Sequence, residues 1–152
     1  MKKGLQLFGW IFVCSLAGIF GAQFEPGTWY ELLEKPNWTP PNIVFPIVWP
    51  ILYVMMGIAA WMMWKIDEVS ISGTEFRWFF VQLILNALWS WVFFGMHLIS
   101  TGLAEILLLW VAVAFCVMLF WRRNKIAGAL LIPYWLWISY ASALNFAIWQ
   151  LN

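Results

Sequence analysis

Five long apolar segments alternate with short polar ones along the chain. They cover residues 5–24, 44–64, 76–97, 101–121 and 126–149. A helix that crosses a bilayer needs about 20 mostly apolar residues, and each segment has that length. Backbone groups in lipid must be satisfied within the protein, and continuous apolar runs of this length achieve that as helices. The pattern predicts an all-α integral membrane protein, with one domain built as a bundle of five transmembrane helices.

The composition agrees with this interpretation. The 152 residues are 64% hydrophobic and 10% charged, with a mean hydropathy of +0.83. A soluble domain carries about 25% charged residues. The net charge of +1 gives no reason to expect a nucleic-acid partner. Cys14 and Cys116 both fall inside apolar runs, where they are expected to be small buried hydrophobes.

Basic residues predict the direction of the five helices. With five crossings, seven of the eight Lys and Arg residues fall on one side, and Lys35 alone falls on the other. The positive-inside rule then places the N-terminus in the cytoplasm and the C-terminus outside. We therefore expect a multi-pass protein of a bacterial plasma (inner) membrane, with the loop between the first two spans on the outer side.

That first loop, "WYELLEKPNWTPP", is expected to be stiff. Pro36, Pro40 and Pro41 exclude a continuous helix, because each removes a backbone donor and fixes φ. The preceding "TWYELLE" predicts one short helix, with Thr28 as N-cap and Glu31 completing a capping box. The loop should therefore form a partly helical lid over the outer end of the bundle.

Aromatic and amide side chains share helix faces beneath this lid. In the second span Phe45, Trp49 and Tyr53 are four residues apart, and in the third span Asn86 and Trp89 are three apart. From the helical rise, Trp49, Trp89 and Asn86 would lie ~8, ~12 and ~16 Å below the outer surface.

Lipid cannot satisfy an amide, so the Asn86 face should point into the bundle. Two interpretations stay open for Asn86 and Gln82. They line a pocket, or they only form hydrogen bonds with a neighbouring helix.

Four segments resemble the translocator protein family, which includes the tryptophan-rich sensory proteins of bacteria and the peripheral benzodiazepine receptor of mitochondria. They are "WYELLEKPNWTPP", "VFPIVWPILY", "NALWSWVFFG" and "PYWLWISYASALNFAIWQLN". The resemblance covers nearly the whole chain. It implies a homodimer of five-helix subunits that bind porphyrins or other hydrophobic small molecules under the first loop.

Carried over by position, the resemblance implies a ligand pocket formed by the lid and three spans. Its residues would be Tyr30, Pro40, Trp49, Tyr53, Asn86, Trp89, Trp137 and Ala141. Trp49 and Trp137 match the two tryptophans associated in bacterial relatives with light-dependent porphyrin breakdown, which makes them the candidate catalytic residues. Vertebrate members carry a sterol-recognition pattern in the last helix. Here Phe146 stands in its place with no basic residue after it, which argues against a cholesterol role.

No metal site or cofactor is expected, so a porphyrin would be held as a ligand by stacking and shape. His97, the single histidine, is expected to be a solvated residue at the outer end of the third span. Glu105 lies one turn into the fourth span. It either extends to water or faces the pocket or a partner subunit.

Three functions remain open at the level of sequence. The leading hypothesis is a membrane receptor or sensor for tetrapyrroles. The alternatives are a porphyrin transporter and an enzyme that degrades porphyrin under light, with Trp49 and Trp137 as electron donors.

Overall fold

Helices make up most of the molecule. The computed structural model describes residues 2–24 and 26–152, and within them the α-helices are α1 (Lys2–Gly21), α2 (Thr28–Leu32), α3 (Val44–Trp64), α4 (Thr74–Ser90), α5 (Ile99–Arg123) and α6 (Lys125–Leu151). A π-helical turn, Trp91–Gly95, continues α4. Five helices are long and apolar enough to span a membrane: α1, α3, α4 together with its π-helical turn, α5 and α6. The predicted five-helix membrane bundle is confirmed.

The helix ends differ from the predicted spans by a few residues. The first long helix ends at Gly21 rather than at residue 24, and the third begins at Thr74 rather than at residue 76. Only Asn124 separates α5 from α6. Its backbone is extended, and its side-chain oxygen accepts hydrogen bonds from the backbone N–H groups of Ile126 and Ala127. This N-cap lets the chain reverse direction across a single residue.

The five long helices pack as a closed ring. Going around it, α1 packs against α3, α3 against α6, α6 against α5, α5 against α4, and α4 against α1. The order in space therefore differs from the order in sequence. As a result α1 lies between α3 and α4, although these two helices are neighbours in sequence.

Close backbone approach and one ion pair hold this arrangement. A Cβ on Gly57 of α3 would lie 2.5 Å from the Cα of Ile11 in α1, so the two helices touch where only glycine fits. At the end that carries most of the basic residues, Nε of Arg123 lies 2.9 Å from a carboxylate oxygen of Glu75. That ion pair joins the end of α5 to the start of α4.

The first loop forms a lid that contains α2, as predicted, but the predicted capping box is wrong. The helix begins at Thr28 itself, and the N-cap is Gly27, with no side-chain hydrogen bond at the cap. The Gly27 carbonyl accepts hydrogen bonds from the N–H groups of Tyr30 and Glu31. Thr28 is thus already inside the first turn, one position too late for its hydroxyl to cap the helix.

The lid is held by a side chain of its own, Lys35, and by a side chain of α6, Tyr140. Lys35 Nζ donates to the backbone oxygens of Tyr30 and Leu33, at 2.6 and 2.9 Å, and so closes the C-terminal end of α2. Beyond α2, the Tyr140 hydroxyl donates to the backbone oxygen of Trp38 at 2.8 Å. These bonds give the proline-rich segment a defined position above the bundle.

The Asn152 side chain also anchors the lid. It accepts a hydrogen bond from the Glu34 N–H at 3.0 Å and donates one to the Glu34 carbonyl at 2.9 Å. An amide side chain thereby pairs with a backbone peptide as a strand would. This contact ties the lid to the end of α6.

Candidate functional site

A cavity of about 590 Å³ lies beneath the lid, between α1, α3 and α4. This volume is within the 300–1,000 Å³ range of small-molecule sites. Its aromatic lining residues are Phe24, Phe45, Trp49, Tyr53, Trp89 and Phe94. The cavity is therefore suited to a large, flat, mostly apolar ligand.

Four of the eight predicted pocket residues line this cavity. Trp49 and Tyr53 lie on α3, with ring centroids 5.6 Å apart and planes only 23° from parallel. Asn86 and Trp89 lie on α4. The spacing placed each pair on one helix face, and the structure brings the two faces together, with the Tyr53 hydroxyl bonded to Asn86.

The other four, Tyr30, Pro40, Trp137 and Ala141, do not line the cavity. The rings of Tyr30 and Trp137 each contact an aromatic ring that lines the cavity. The Tyr30 ring packs on Phe94 at 5.4 Å, and the Trp137 ring packs on Phe45 at 5.9 Å. Burial and the neighbouring Tyr140 hydroxyl raise the pKa of Tyr30, which keeps this lid residue neutral.

Pro40 and Ala141 belong to parts of the protein that do not line the cavity. Pro40 is partly buried within the lid, and Ala141 is buried on α6. Because α6 packs against α3 and α5, the third wall of the cavity comes from α1 instead.

Small residues of α1 form that third wall. Ser15, Gly18 and Gly21 of α1 line the cavity, and so does Ala22 directly after the helix. A Cβ on Gly18 would overlap the ring of Tyr53, so only glycine lets this ring lie against α1. Sequence reasoning missed this wall, since small residues in an apolar helix carry no distinctive signal.

A chain of hydrogen bonds joins three helices at the base of the cavity. The Tyr53 hydroxyl donates to Oδ1 of Asn86 at 2.6 Å, and Nδ2 of Asn86 donates to the Tyr134 hydroxyl at 3.0 Å. The Tyr134 hydroxyl in turn donates to Oε1 of Gln82 at 3.0 Å. Asn86 therefore fits both interpretations, because it lines the cavity and bonds neighbouring helices. Gln82 bonds a neighbouring helix but does not line the cavity.

Tyr134, the centre of this network, was not predicted. It is fully buried on α6 and takes part in two of the three bonds. Its position in an apolar run next to Pro133 gives no sign of a partner 48 residues away. The network makes the floor of the cavity rigid and leaves few free polar groups in it.

The indole N–H of Trp89 is buried without a hydrogen-bond partner among the described residues. An unsatisfied buried donor costs about 1–3 kcal/mol. Because this nitrogen has no exposed surface, it does not open into the cavity, and Trp89 contributes its aromatic ring to the lining.

His97 and Glu105 have defined surroundings outside the cavity. His97 is exposed, as expected, but its ring also stacks on Trp29 of α2 at 4.4 Å, and its φ of 58° is left-handed. Both carboxylate oxygens of Glu105 are buried without a hydrogen-bond partner among the described residues, so the side chain does not extend to water. Glu105 does not line the cavity either.

Together these features define a class of protein: an integral multi-pass membrane protein with a lidded, aromatic small-molecule cavity. Residues 10–150 match the model of the TspO/MBR family, and the chain belongs to that family.

The relatives are similar over almost their whole length. The chain is 42% identical to the tryptophan-rich protein TspO of Chlorobaculum tepidum, covering 99% of this chain and 98% of the relative. It is 37% identical to a tryptophan-rich sensory protein of Cereibacter sphaeroides, covering 91% and 86%. It is 34% identical to the translocator protein of Bos taurus, covering 95% and 88%.

Proposed function

We propose that this protein is a membrane receptor or sensor that binds a tetrapyrrole in the cavity beneath the lid. The observation that carries the proposal is the cavity itself, about 590 Å³ in volume and lined by Trp49, Tyr53, Trp89 and Phe94. A tetrapyrrole is a large aromatic plane with polar groups at its edge. Stacked or edge-to-face aromatic pairs contribute about 0.5–1.5 kcal/mol each beyond area burial, so several such contacts favour a planar ligand.

The polar groups of the cavity support an amphipathic ligand. The walls are mostly aromatic and apolar, while the exposed side chain of Asn42 lies on the lid side. The flat part of a porphyrin would contact the indoles, and its carboxylates would stay near Asn42 and water. Such an orientation leaves no charge buried without a partner.

The name of one relative supports a sensory role. The tryptophan-rich sensory protein of Cereibacter sphaeroides is 37% identical to this chain.

The basic residues support an orientation in a bacterial inner membrane with the N-terminus in the cytoplasm, since seven of the eight lie at one end of the bundle. In that orientation the lid and the cavity face the outer side.

A titration tests ligand binding. Protoporphyrin added to the purified protein in detergent should quench tryptophan fluorescence saturably, at micromolar concentration and near one ligand per chain. Empty micelles and micelles with an unrelated tryptophan-containing membrane protein are the controls. A response that never saturates, or one equal to that of the unrelated protein, would remove the proposal.

A second candidate function is photochemical, and the position of Trp49 favours it. The Trp49 indole lies on the cavity wall and stacks on Tyr53. In this reaction a light-excited porphyrin takes one electron from the indole, so the porphyrin is reduced and the indole is oxidised. Trp137 stands behind Phe45 and would act over a longer distance.

A further inference from the structure

A second groove lies on the outer surface of the bundle, between α5 and α6, in the half where α5 ends. Its volume is about 480 Å³. It is lined by Ala114, Val117, Met118, Trp121, Arg122, Ile132 and Trp135, and it shares no residue with the aromatic cavity. Met118 and Trp121 are exposed apolar side chains, so the groove faces the surrounding membrane.

Charge distinguishes this groove from the other apolar surfaces of the bundle. Arg122 is the one charged residue among those that line it. The adjacent Arg123 is paired with Glu75, whereas Arg122 has no ion-pair or hydrogen-bond partner among the described residues. An unneutralised guanidinium beside an apolar groove favours a ligand with an anionic end and an apolar body.

The shape of the groove fits a lipid chain. Arg122 lies in the last turn of α5, and Ala114 lies eight residues earlier, which corresponds to ~12 Å along the helix axis. Trp121, next to Arg122, is a residue type typical of the membrane–water interface. The charged end of the groove is therefore at headgroup level, and its apolar part extends toward the bilayer centre.

We propose that this groove binds one anionic phospholipid, with its phosphate on Arg122 and the part of an acyl chain nearest the headgroup between α5 and α6. A guanidinium binds phosphate oxygens through two parallel hydrogen bonds, and basic pockets between membrane helices are known to bind anionic headgroups. A second copy of the chain is a poorer occupant. A two-fold dimer through this groove would bring two patches of the same positive charge together.

Native mass spectrometry of the purified full-length protein with phosphatidylglycerol or phosphatidylcholine tests the proposal. The wild-type protein should retain one phosphatidylglycerol per chain in preference to phosphatidylcholine. Arg122→Gln should weaken this retention about tenfold, the loss expected for one charge-assisted contact. Ala114→Phe, which fills the groove and leaves the charge in place, should weaken it similarly.

Arg77→Gln is the matched control. Arg77 lies in α4 near Glu75, the partner of Arg123, so it is at the same end of the bundle but outside the groove. It should retain phosphatidylglycerol like the wild type, and excess inorganic phosphate should not displace the lipid. Equal retention by Arg122→Gln and Arg77→Gln would overturn the proposal. Displacement of the lipid by phosphate would also overturn it. So would a change in the oligomeric state of Ala114→Phe with no change in the amount of lipid retained.

Discussion

The Tyr53 hydroxyl donates a 2.6 Å hydrogen bond to the side-chain oxygen of Asn86, and both side chains line the same cavity from different helices. Asn86 also donates to Tyr134, so its amide is engaged on both sides. A ligand in the cavity therefore meets a fixed polar floor rather than a free amide. Recognition then depends on the aromatic walls.

The first prediction concerns the stability of this floor. Tyr134→Phe removes a hydroxyl that both donates to Gln82 and accepts from Asn86, so it leaves two buried groups unsatisfied. Hydrogen bonds between membrane helices contribute about 0.6 kcal/mol on average and up to about 1.7 kcal/mol. The variant should lower the thermal midpoint by several degrees, measured by circular dichroism in detergent. Tyr53→Phe, which removes one bond, should lower it less.

Tyr140→Phe is the control for that prediction. Its hydroxyl bonds only the backbone oxygen of Trp38 in the lid, away from the centre of the bundle. Its thermal midpoint should stay near that of the wild type. If Tyr134→Phe and Tyr140→Phe melt at the same temperature, the buried network does not stabilise the bundle.

Much of the fold was predictable because lipid imposes strong rules on a sequence. The five spans followed from the length of apolar runs, and Trp49, Tyr53, Asn86 and Trp89 followed from their spacing on helix faces. The spatial order of the helices did not follow, because all five helices are apolar on most of their surface. This is why the wall formed by α1 was missed.

Contacts between residues far apart in sequence were also not predictable. The Asn152 side chain pairs with the Glu34 backbone 118 positions away, and neither residue has a pattern that indicates the other. The start of α2 was misplaced by one residue, since Thr28 in sequence looks like an N-cap. The backbone of Gly27 took that role because its carbonyl accepts the first hydrogen bonds.

The second prediction concerns the contact between α1 and Tyr53. Gly18→Ala should push the Tyr53 ring aside and break its bond to Asn86, because a Cβ has no room there. Overpacking of this kind costs about 1–3 kcal/mol. Gly9→Ala in the same helix is the control, since a Cβ there meets no atom within 4 Å. It should be neutral or stabilising, and equal midpoints for the two variants would argue against the close approach.

The third prediction separates stacking from photochemistry. Trp49→Phe keeps an aromatic ring that is much harder to oxidise, so porphyrin affinity should stay within about tenfold, a loss of ~1.4 kcal/mol or less. Light-dependent loss of the porphyrin absorbance band should fall strongly in this variant. Trp137→Phe should reduce it less, because Trp137 lies behind Phe45. Bleaching at the wild-type rate in the double variant would leave only ordinary photosensitised damage.

The fourth prediction concerns orientation. Asn37 in the lid and Glu68 between α3 and α4 are both exposed, and the native Cys14 and Cys116 are buried. A membrane-impermeant maleimide added to intact spheroplasts should label Asn37→Cys and leave Glu68→Cys unlabelled. Disruption of the membrane should then expose Glu68→Cys. The reverse labelling pattern would invert the proposed orientation.

Porphyrin binding to a variant with a filled cavity tests the central claim most directly. Ala22 lines the cavity and is exposed, so Ala22→Phe should place a ring in the ligand space without disturbing the buried core. Ala104→Phe is the matched control, because Ala104 is an exposed alanine on α5 that does not line the cavity. In a fluorescence titration with protoporphyrin, Ala22→Phe should lose saturable binding, and Ala104→Phe should bind like the wild type. Wild-type affinity in a folded Ala22→Phe protein would place the ligand elsewhere and contradict the account.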